Sequence, residues 1–206
     1  MTDMTVGRRP YGGVSAEDRV AARRARLLDG TLAIIGEHGV AAVTVDRICS
    51  EAQLGKRYFY ESFADRDTLL VALADDLYSD ILAAMVEDMP DTDDPRPRAE
   101  SVVRSLLDVL GRDTRRARLY AQSAGHPALS PRRARAIEEF TDFVCDAVFT
   151  LPLGPGETAT TKYLSCRLLV SGTTDIVVAW LSGEIEATPE EIVQAIVNAG
   201  TPPAER

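Results

Sequence analysis

The side chains best suited to chemistry in this chain lie between Lys56 and Tyr60, in the run KRYFY. Lys56 and Arg57 provide positive charge, and the two tyrosines provide aromatic rings with hydroxyl groups. Positive side chains contact phosphates, and arginine can also donate two parallel hydrogen bonds to guanine. Helical spacing turns Phe59 inward and leaves its four neighbours outside. The run therefore indicates contact with a nucleic acid.

Two short helices are predicted to hold this run in place. The first begins after Thr44, whose hydroxyl can cap the free amides of the next turn. Its apolar residues recur at helical spacing: Val45, Ile48, Cys49 and Ala52. The segment Gln53–Gly55 interrupts the pattern, and a second short helix starts at Lys56. Two short helices joined by a tight turn are typical of a helix-turn-helix.

The longer segment GEHGVAAVTVDRICSEAQLGKRYFYESFADRDTLL, residues 36–70, resembles the N-terminal signature of the tetracycline-repressor (TetR) family of bacterial transcriptional regulators. The resemblance covers roughly residues 15–78, and the spacing of Phe59, Tyr60 and Phe63 is its most specific part. It implies an all-α fold of about nine helices. Residues 1–64 would form an N-terminal arm and a three-helix DNA-binding domain, and residues 65–206 a helical ligand-binding and dimerisation domain.

The resemblance also implies roles for individual residues, position by position. Four residues match phosphate-contact positions: Thr44, Lys56, Tyr60 and Arg66. Arg57 and Tyr58 match positions that face base edges. The sequence departs from the family at Gln53, where glycine is usual, and at Gly55, where serine or threonine is usual. A residue other than glycine in a left-handed turn costs roughly 1 kcal/mol or more.

The implied function is a regulator, most simply a repressor, that binds a palindromic DNA operator as a homodimer and is released by a small molecule. A dimeric DNA-binding protein of the same fold without an effector remains the alternative. The net charge of −9 does not oppose DNA binding, because residues 1–63 carry nine Lys and Arg against eight Asp and Glu. A local cationic face, and not the overall charge, engages phosphates.

Residues outside the helix-turn-helix segment are predicted to be helical throughout, with no strands. A connecting helix over 66–89 and a linker over 90–97 precede five further helices: 98–110, 113–123, 131–149, 157–181 and 189–198. The helix 157–181 is apolar on two sides, so one side needs a cover outside the body's own core. We therefore expect a homodimer through 157–181 and 189–198. Residues 1–14 form a basic arm, either disordered or following the DNA.

The sequence gives little support for catalysis, a metal site or a cofactor. His38 and His126 lie in turns and have no recognisable Ser, Cys or Asp partner. The cysteines, Cys49, Cys145 and Cys166, are widely spaced and lie in apolar helical patterns, which indicates buried thiols. No signal peptide and no apolar run of about 20 residues stands out. We therefore expect a cytoplasmic protein that does not enter a membrane and is not an enzyme.

A pocket for a small apolar or amphipathic effector is expected within the body, among the helices 98–110, 113–123, 131–149 and 157–181. Such pockets combine apolar walls with a few polar groups. Six candidate lining residues were chosen for their aromatic or polar tips: Tyr78, Tyr120, His126, Phe140, Phe143 and Trp180. Ordinary core or surface packing is the commoner role for each of them.

Overall fold

The structure, a computed structural model, describes residues 15–150, 156 and 158–201. This part of the chain contains nine α-helices, one 3₁₀ helix and no strand, which confirms the all-α fold class. The helices are α1 (Ala16–His38), α2 (Val45–Glu51), α3 (Lys56–Ser62), α4 (Arg66–Glu87), α5 (Pro95–Arg112), α6 (Thr114–Gln122), α7 (Ser130–Ala147), α8 (Ala159–Leu181) and α9 (Pro189–Gly200). The predicted basic arm, residues 1–14, lies outside the described residues.

The helix starts follow capping rules that the sequence displays. Ser15 Oγ accepts a hydrogen bond from the Asp18 amide at 2.9 Å, and Asp18 accepts one from the Ser15 amide at 3.1 Å. The same reciprocal arrangement begins α9, between Thr188 and Glu191. Each cap satisfies amides that the helix itself leaves without partners. These ends therefore lie close to where the sequence predicts them.

The connection between α4 and α5 is shorter than predicted. Helix α5 begins at Pro95, inside the segment 90–97 that the composition indicates as a linker. Asp94 caps this start by accepting from the Arg96 amide at 2.9 Å. A proline in the first turn loses no intrahelical hydrogen bond, so Pro95 begins the helix instead of preventing it. The linker prediction was therefore wrong at its C-terminal end, as was the start of the next helix at residue 98.

A continuous apolar core joins the first three helices to the rest of the chain. It extends from Leu27 in α1 to Val197 in α9, and α4 crosses it with one buried stripe. Helix α6 packs along α1, and α4 packs against α5 and α7. The predicted boundary at residues 64 and 65 therefore lies within a shared core.

Helix α8 packs against α7, α6 and α9 but leaves much of its apolar surface uncovered. Only 22% of its most apolar stretch is buried within the chain. Leu168 is 74% exposed and Leu164 is 58% exposed. Among the helices that the structure describes, α8 alone is long and apolar enough to cross a membrane by length and composition. Lys162, Arg167 and Asp175 interrupt α8, so it is not an unbroken apolar run, and the core helix of a multi-helix body can reach the same mean composition.

Candidate functional site

The turn between α2 and α3 takes the left-handed backbone that a helix-turn-helix requires. Gln53 has φ 51°, a conformation that favours glycine. Arg26 of α1 reaches across and donates its Nη2 to the Ala52 carbonyl at 2.6 Å and to the Gln53 carbonyl at 3.4 Å. The Leu54 amide also bonds the Cys49 carbonyl at 2.9 Å. These contacts hold the turn although its central residue is not glycine.

One buried aromatic side chain, that of Phe59, anchors helix α3 to the hydrophobic core. Phe59 is fully buried, and its ring lies 5.3 Å from the Tyr60 ring and 6.1 Å from the Phe63 ring. Gly55 caps the helix without a side-chain hydrogen bond, and a Cβ at this position would meet no atom within 4 Å. On the outer side, Tyr58 is 40% exposed and Tyr60 is 58% exposed. The buried anchor therefore presents the outer side chains to solvent at defined positions.

Each cation predicted to contact DNA is paired with a carboxylate in this structure. Lys56 Nζ lies 2.6 Å from Asp46 Oδ1, and this hydrogen bond raises the pKa of Lys56. Arg57 Nε lies 2.9 Å from Glu61 Oε1. Exposed ion pairs contribute little to stability because water screens them. A phosphate can therefore replace either carboxylate at small cost.

Arg66 is held more firmly than the other two. Its Nη2 lies 2.8 Å from Asp67 Oδ1, and its Nη1 donates to the Val43 carbonyl at 3.4 Å. Thr44, the residue after Val43, accepts a hydrogen bond at its Oγ1 from the Arg47 amide at 3.3 Å. The structure thus brings Arg66, at the start of α4, to the segment just before α2. Thr44 and Arg66 lie at this edge, and the other four predicted DNA contacts lie on α3.

Arginines of α1 also support α3, and the sequence reasoning gave them no role. The Arg23 guanidinium stacks over the Tyr58 ring at 4.8 Å, and that of Arg24 over the Phe63 ring at 4.8 Å. Such cation–π contacts orient the ring and keep a positive charge beside it. The signal available in the sequence was the cluster of Arg23, Arg24 and Arg26 on one helix.

The body contains a cavity of about 70 Å³ between α4 and the five helices that follow. Its wall is almost entirely apolar. It is lined by Met85, Ala99, Val102, Val103, Leu106, Tyr120, Phe140, Val144, Val148, Phe149, Leu169, Val170, Thr173, Thr174, Ile196 and Gly200. Two of the six predicted lining residues, Tyr120 and Phe140, belong to this wall.

The other four predicted lining residues lie outside the wall. Tyr78 is buried behind it, with its ring 6.1 Å from Tyr120 and 6.2 Å from Phe140, and its hydroxyl lies 3.2 Å from Ser123 Oγ. His126 lies in the turn between α6 and α7. Trp180 donates its indole N–H to the Ala187 carbonyl at 2.9 Å. Phe143 is half-buried on α7 and packs against the edge of the core.

The described part of the chain holds no group of His, Cys, Asp or Glu able to bind a metal. The three cysteines are buried and free. Burial and the neighbouring thiol of Cys145 raise the pKa of Cys166 to about 12. Since the thiolate is the reactive form, Cys166 is a weak nucleophile.

Comparison with known proteins places this geometry in a family. Residues 27–73 match the family model described as "Bacterial regulatory proteins, tetR family". No curated protein sequence matches the chain. A solved TetR-like transcriptional regulator from Rhodococcus sp. RHA1 is 16% identical, with a TM-score of 0.67 over 87% of this chain and 94% of that one.

Two further solved structures have names that refer to small molecules. The fatty acid degradation regulator FadR from Bacillus halodurans is 13% identical, with a TM-score of 0.72 over 89% of this chain and 97% of that one. The multidrug binding protein EbrR, complexed with malachite green, is 22% identical, with a TM-score of 0.66 over 86% and 97%. At these identities, the likeness shows the fold alone. The match over residues 27–73 identifies the helix-turn-helix segment as that of the tetR family of bacterial transcriptional regulators, and the all-helical fold is shared along most of the chain with solved structures.

Proposed function

We propose that this protein is a cytoplasmic repressor that binds a palindromic DNA operator as a homodimer and leaves it when a small molecule binds the body. The observation that carries the proposal is α3, which exposes Lys56, Arg57, Tyr58 and Tyr60 above the buried Phe59. In this proposal residues 1–64 read DNA, and residues 65–206 dimerise and bind the effector.

The DNA contacts divide into two kinds. Lys56 and Tyr60 on α3, with Thr44 and Arg66 at the neighbouring edge, contact phosphates and set the position of the head on the duplex. Arg57 and Tyr58 face base edges in the major groove and select the sequence. All six side chains are exposed or half-buried, which supports their accessibility to DNA.

The second subunit is proposed to cover α8 and α9, over residues 157–181 and 189–198. The support is the apolar surface of α8 that the chain leaves uncovered, with Leu164 and Leu168 at its most exposed points. A two-fold axis through such a face presents two identical reading heads. These heads can then engage half-sites about one helical turn, roughly 34–36 Å, apart.

The proposed effector site is the cavity of the body. Met85 near the end of α4 lines it, and the same helix begins at Arg66 beside the reading segment. A ligand that favours one position of α4 shifts the population of head positions. The named neighbours FadR and EbrR suggest this use of the fold by analogy only.

A ligand-independent dimeric DNA-binding protein is the second candidate. The observation that favours it is the size of the cavity, about 70 Å³, whereas pockets for drug-sized molecules are typically about 300–1,000 Å³. In this case the body serves only to set the distance between the two reading heads.

A gel-shift assay on the DNA flanking the protein's own gene tests both candidates. We expect a discrete complex with a palindromic segment, which disappears as a compound from a screen is added. Failure to retain any flanking segment better than unrelated DNA would contradict operator binding. Retention that no compound changes would favour the ligand-independent candidate.

A further inference from the structure

We infer that the effector of the body cavity is an uncharged, mainly hydrocarbon molecule with one hydrogen-bonding group, held at that group by Thr173. The inference rests on the proposed ligand response and narrows it to one chemical class. The cavity would therefore differ from sites that bind cationic dyes or carboxylates.

Among the residues that the structure describes, no charged side chain lines the cavity. All of its sixteen lining residues are apolar apart from Tyr120, Thr173 and Thr174. Burial raises the pKa of Tyr120, so its hydroxyl stays neutral near pH 7. A charged ligand group in such a site loses its water and gains no opposite charge, which costs several kcal/mol. The wall thus selects against both ammonium and carboxylate groups.

The guanidinium of Arg98, next to the cavity wall, is already hydrogen-bonded within the protein. Arg98 precedes the lining residue Ala99, but its side chain does not belong to the wall. Its Nη1 donates to the Ala147 carbonyl and to Thr150 Oγ1, both at 3.1 Å. These contacts satisfy the C-terminal end of α7, where carbonyls lack helical partners. Its buried Nε has no partner among the described residues. A ligand carboxylate could accept a hydrogen bond from this atom, so a carboxylate is the most demanding comparison for an uncharged ligand.

One hydroxyl of the wall remains available to a ligand. Thr174 Oγ1 donates to the Val170 carbonyl at 2.8 Å, and the Tyr120 hydroxyl lies close to the Thr174 side chain. Thr173 lines the cavity, and its hydroxyl makes no hydrogen bond within the part of the chain that the structure describes. A hydroxyl can donate and accept. Thr173 therefore fits one alcohol, ketone or ester group on an otherwise apolar molecule.

The ligand must also enlarge the cavity. An apolar cavity of about 150 Å³ is needed to hold benzene, and this one measures about 70 Å³. Leu169 and Phe149 line the cavity and lie against Gly200 at the end of α9. A Cβ at position 200 would lie 3.1 Å from Leu169 Cδ1 and 3.8 Å from Phe149 Cζ. Glycine at this position leaves the room that Leu169 needs to move outward.

Calorimetric titration of the full-length protein tests the inference with three probes of equal chain length: 1-octanol, octanoate and octylammonium, near neutral pH. We expect octanol to bind once per chain, at least tenfold more tightly than either ion. Thr173→Val keeps the shape and removes the hydroxyl, so it should weaken octanol binding about fivefold, the usual worth of one hydrogen bond. Gly200→Ala should weaken octanol binding further, because its Cβ would crowd Leu169 Cδ1 and fill the room into which that side chain moves. The unchanged melting temperature of each variant serves as the folding control.

Two results would overturn the inference: binding of octanoate or octylammonium as tight as that of octanol, or no binding of any of the three. Equal octanol affinity in wild type and Thr173→Val would also contradict the role of that hydroxyl. DNA is absent from these titrations, so the proposed function is tested separately. If octanol binds but leaves the operator complex intact, only the proposed ligand response fails. If an ion releases the operator and octanol does not bind, only the inference fails.

Discussion

In the absence of DNA, Lys56 on α3 forms an ion pair within the protein. Its ammonium group is hydrogen-bonded to Asp46 of the preceding helix at 2.6 Å. In the proposed complex, a phosphate of the DNA takes the place of this carboxylate, and counterions are released from the duplex. The exchange is feasible because both partners are largely exposed, with 57% and 76% of their side-chain surfaces accessible.

Lys56 and Arg57 are expected to respond differently to substitution by alanine. Lys56→Ala removes a phosphate contact, so it should weaken binding to all sequences alike and flatten the salt dependence by about one unit. Arg57→Ala removes a base contact, so it should relax sequence preference at one position, worth about 1–3 kcal/mol of discrimination. Fluorescence anisotropy at several salt concentrations measures both effects. Equal losses with unchanged preference in both variants would contradict this division of roles.

Asp46→Asn should have the opposite effect to Lys56→Ala. The substitution keeps the shape of the side chain but removes the negative charge that competes with phosphate for Lys56. We expect tighter binding to operator and to unrelated DNA, by a similar factor, with the gain largest at low salt. Asp76→Asn, a change of equal charge at an exposed residue of α4, is the control and should leave DNA affinity nearly unchanged. An Asp46→Asn variant with unaltered affinity at low salt would show that the pair does not compete.

The sequence could predict the outer face of α3 but not the partners of its charges. Helical spacing around Phe59 is a local property, and it places Lys56 and Tyr60 outside correctly. The Lys56–Asp46 pair and the contact of Arg26 with the turn at Gln53 join different helices. Such contacts depend on how helices pack, and periodicity in one helix carries no information on them.

Helix α6, like α4, contacts both the cavity and the DNA-binding segment. Its Tyr120 lines the cavity. Two residues later, Gln122 Oε1 accepts a hydrogen bond from the Val40 amide at 2.7 Å, and Arg118 donates to the Gly36 carbonyl at 2.8 Å. Gly36 belongs to α1, and Val40 begins the 3₁₀ helix that follows α1. A shift of α6 on ligand binding therefore reaches the segment before α2 directly.

Gln122→Ala should loosen this connection. The substitution leaves the partly buried Val40 amide without its acceptor, which costs about 1–3 kcal/mol. We expect a lower melting temperature and a smaller difference in operator affinity between ligand-free and ligand-bound protein. Gln122→Glu keeps an acceptor oxygen in place and is the matched control. Differential scanning fluorimetry and anisotropy measure the two effects, and an Ala variant with wild-type coupling would exclude this contact as a route.

The sequence predicted the presence of the helices more accurately than the residues at which they begin. The start of α5 at Pro95 was missed because proline and aspartate are common both in loops and at helix N-termini. The 3₁₀ helix Val40–Ala42 is too short to show periodicity. The cavity wall was harder still, since its residues come from six helices whose relative positions no single stretch of sequence encodes.

The whole molecule combines a nearly neutral reading segment with an acidic body. Residues 1–63 carry a net charge of +1, and residues 64–206 carry −10. An acidic body repels the phosphate backbone and leaves the helix-turn-helix as the favourable contact. A single head with so little net charge gains modest affinity, so two heads acting together are needed for a tight complex.

Leu168→Arg should convert the protein to a monomer and weaken operator binding. Leu168 is the most exposed large apolar residue of α8, and two-fold symmetry places the substitution twice in one interface. Burying an unpaired charge at the centre of such a face costs at least about 2 kcal/mol, or roughly 30-fold in the dimer dissociation constant. Val86→Arg, at an exposed apolar position on α4, is the control and should remain a dimer. Light scattering at micromolar concentration gives the oligomeric state, and circular dichroism confirms that both variants fold. A Leu168→Arg variant that stays dimeric with full operator affinity would contradict the proposed interface.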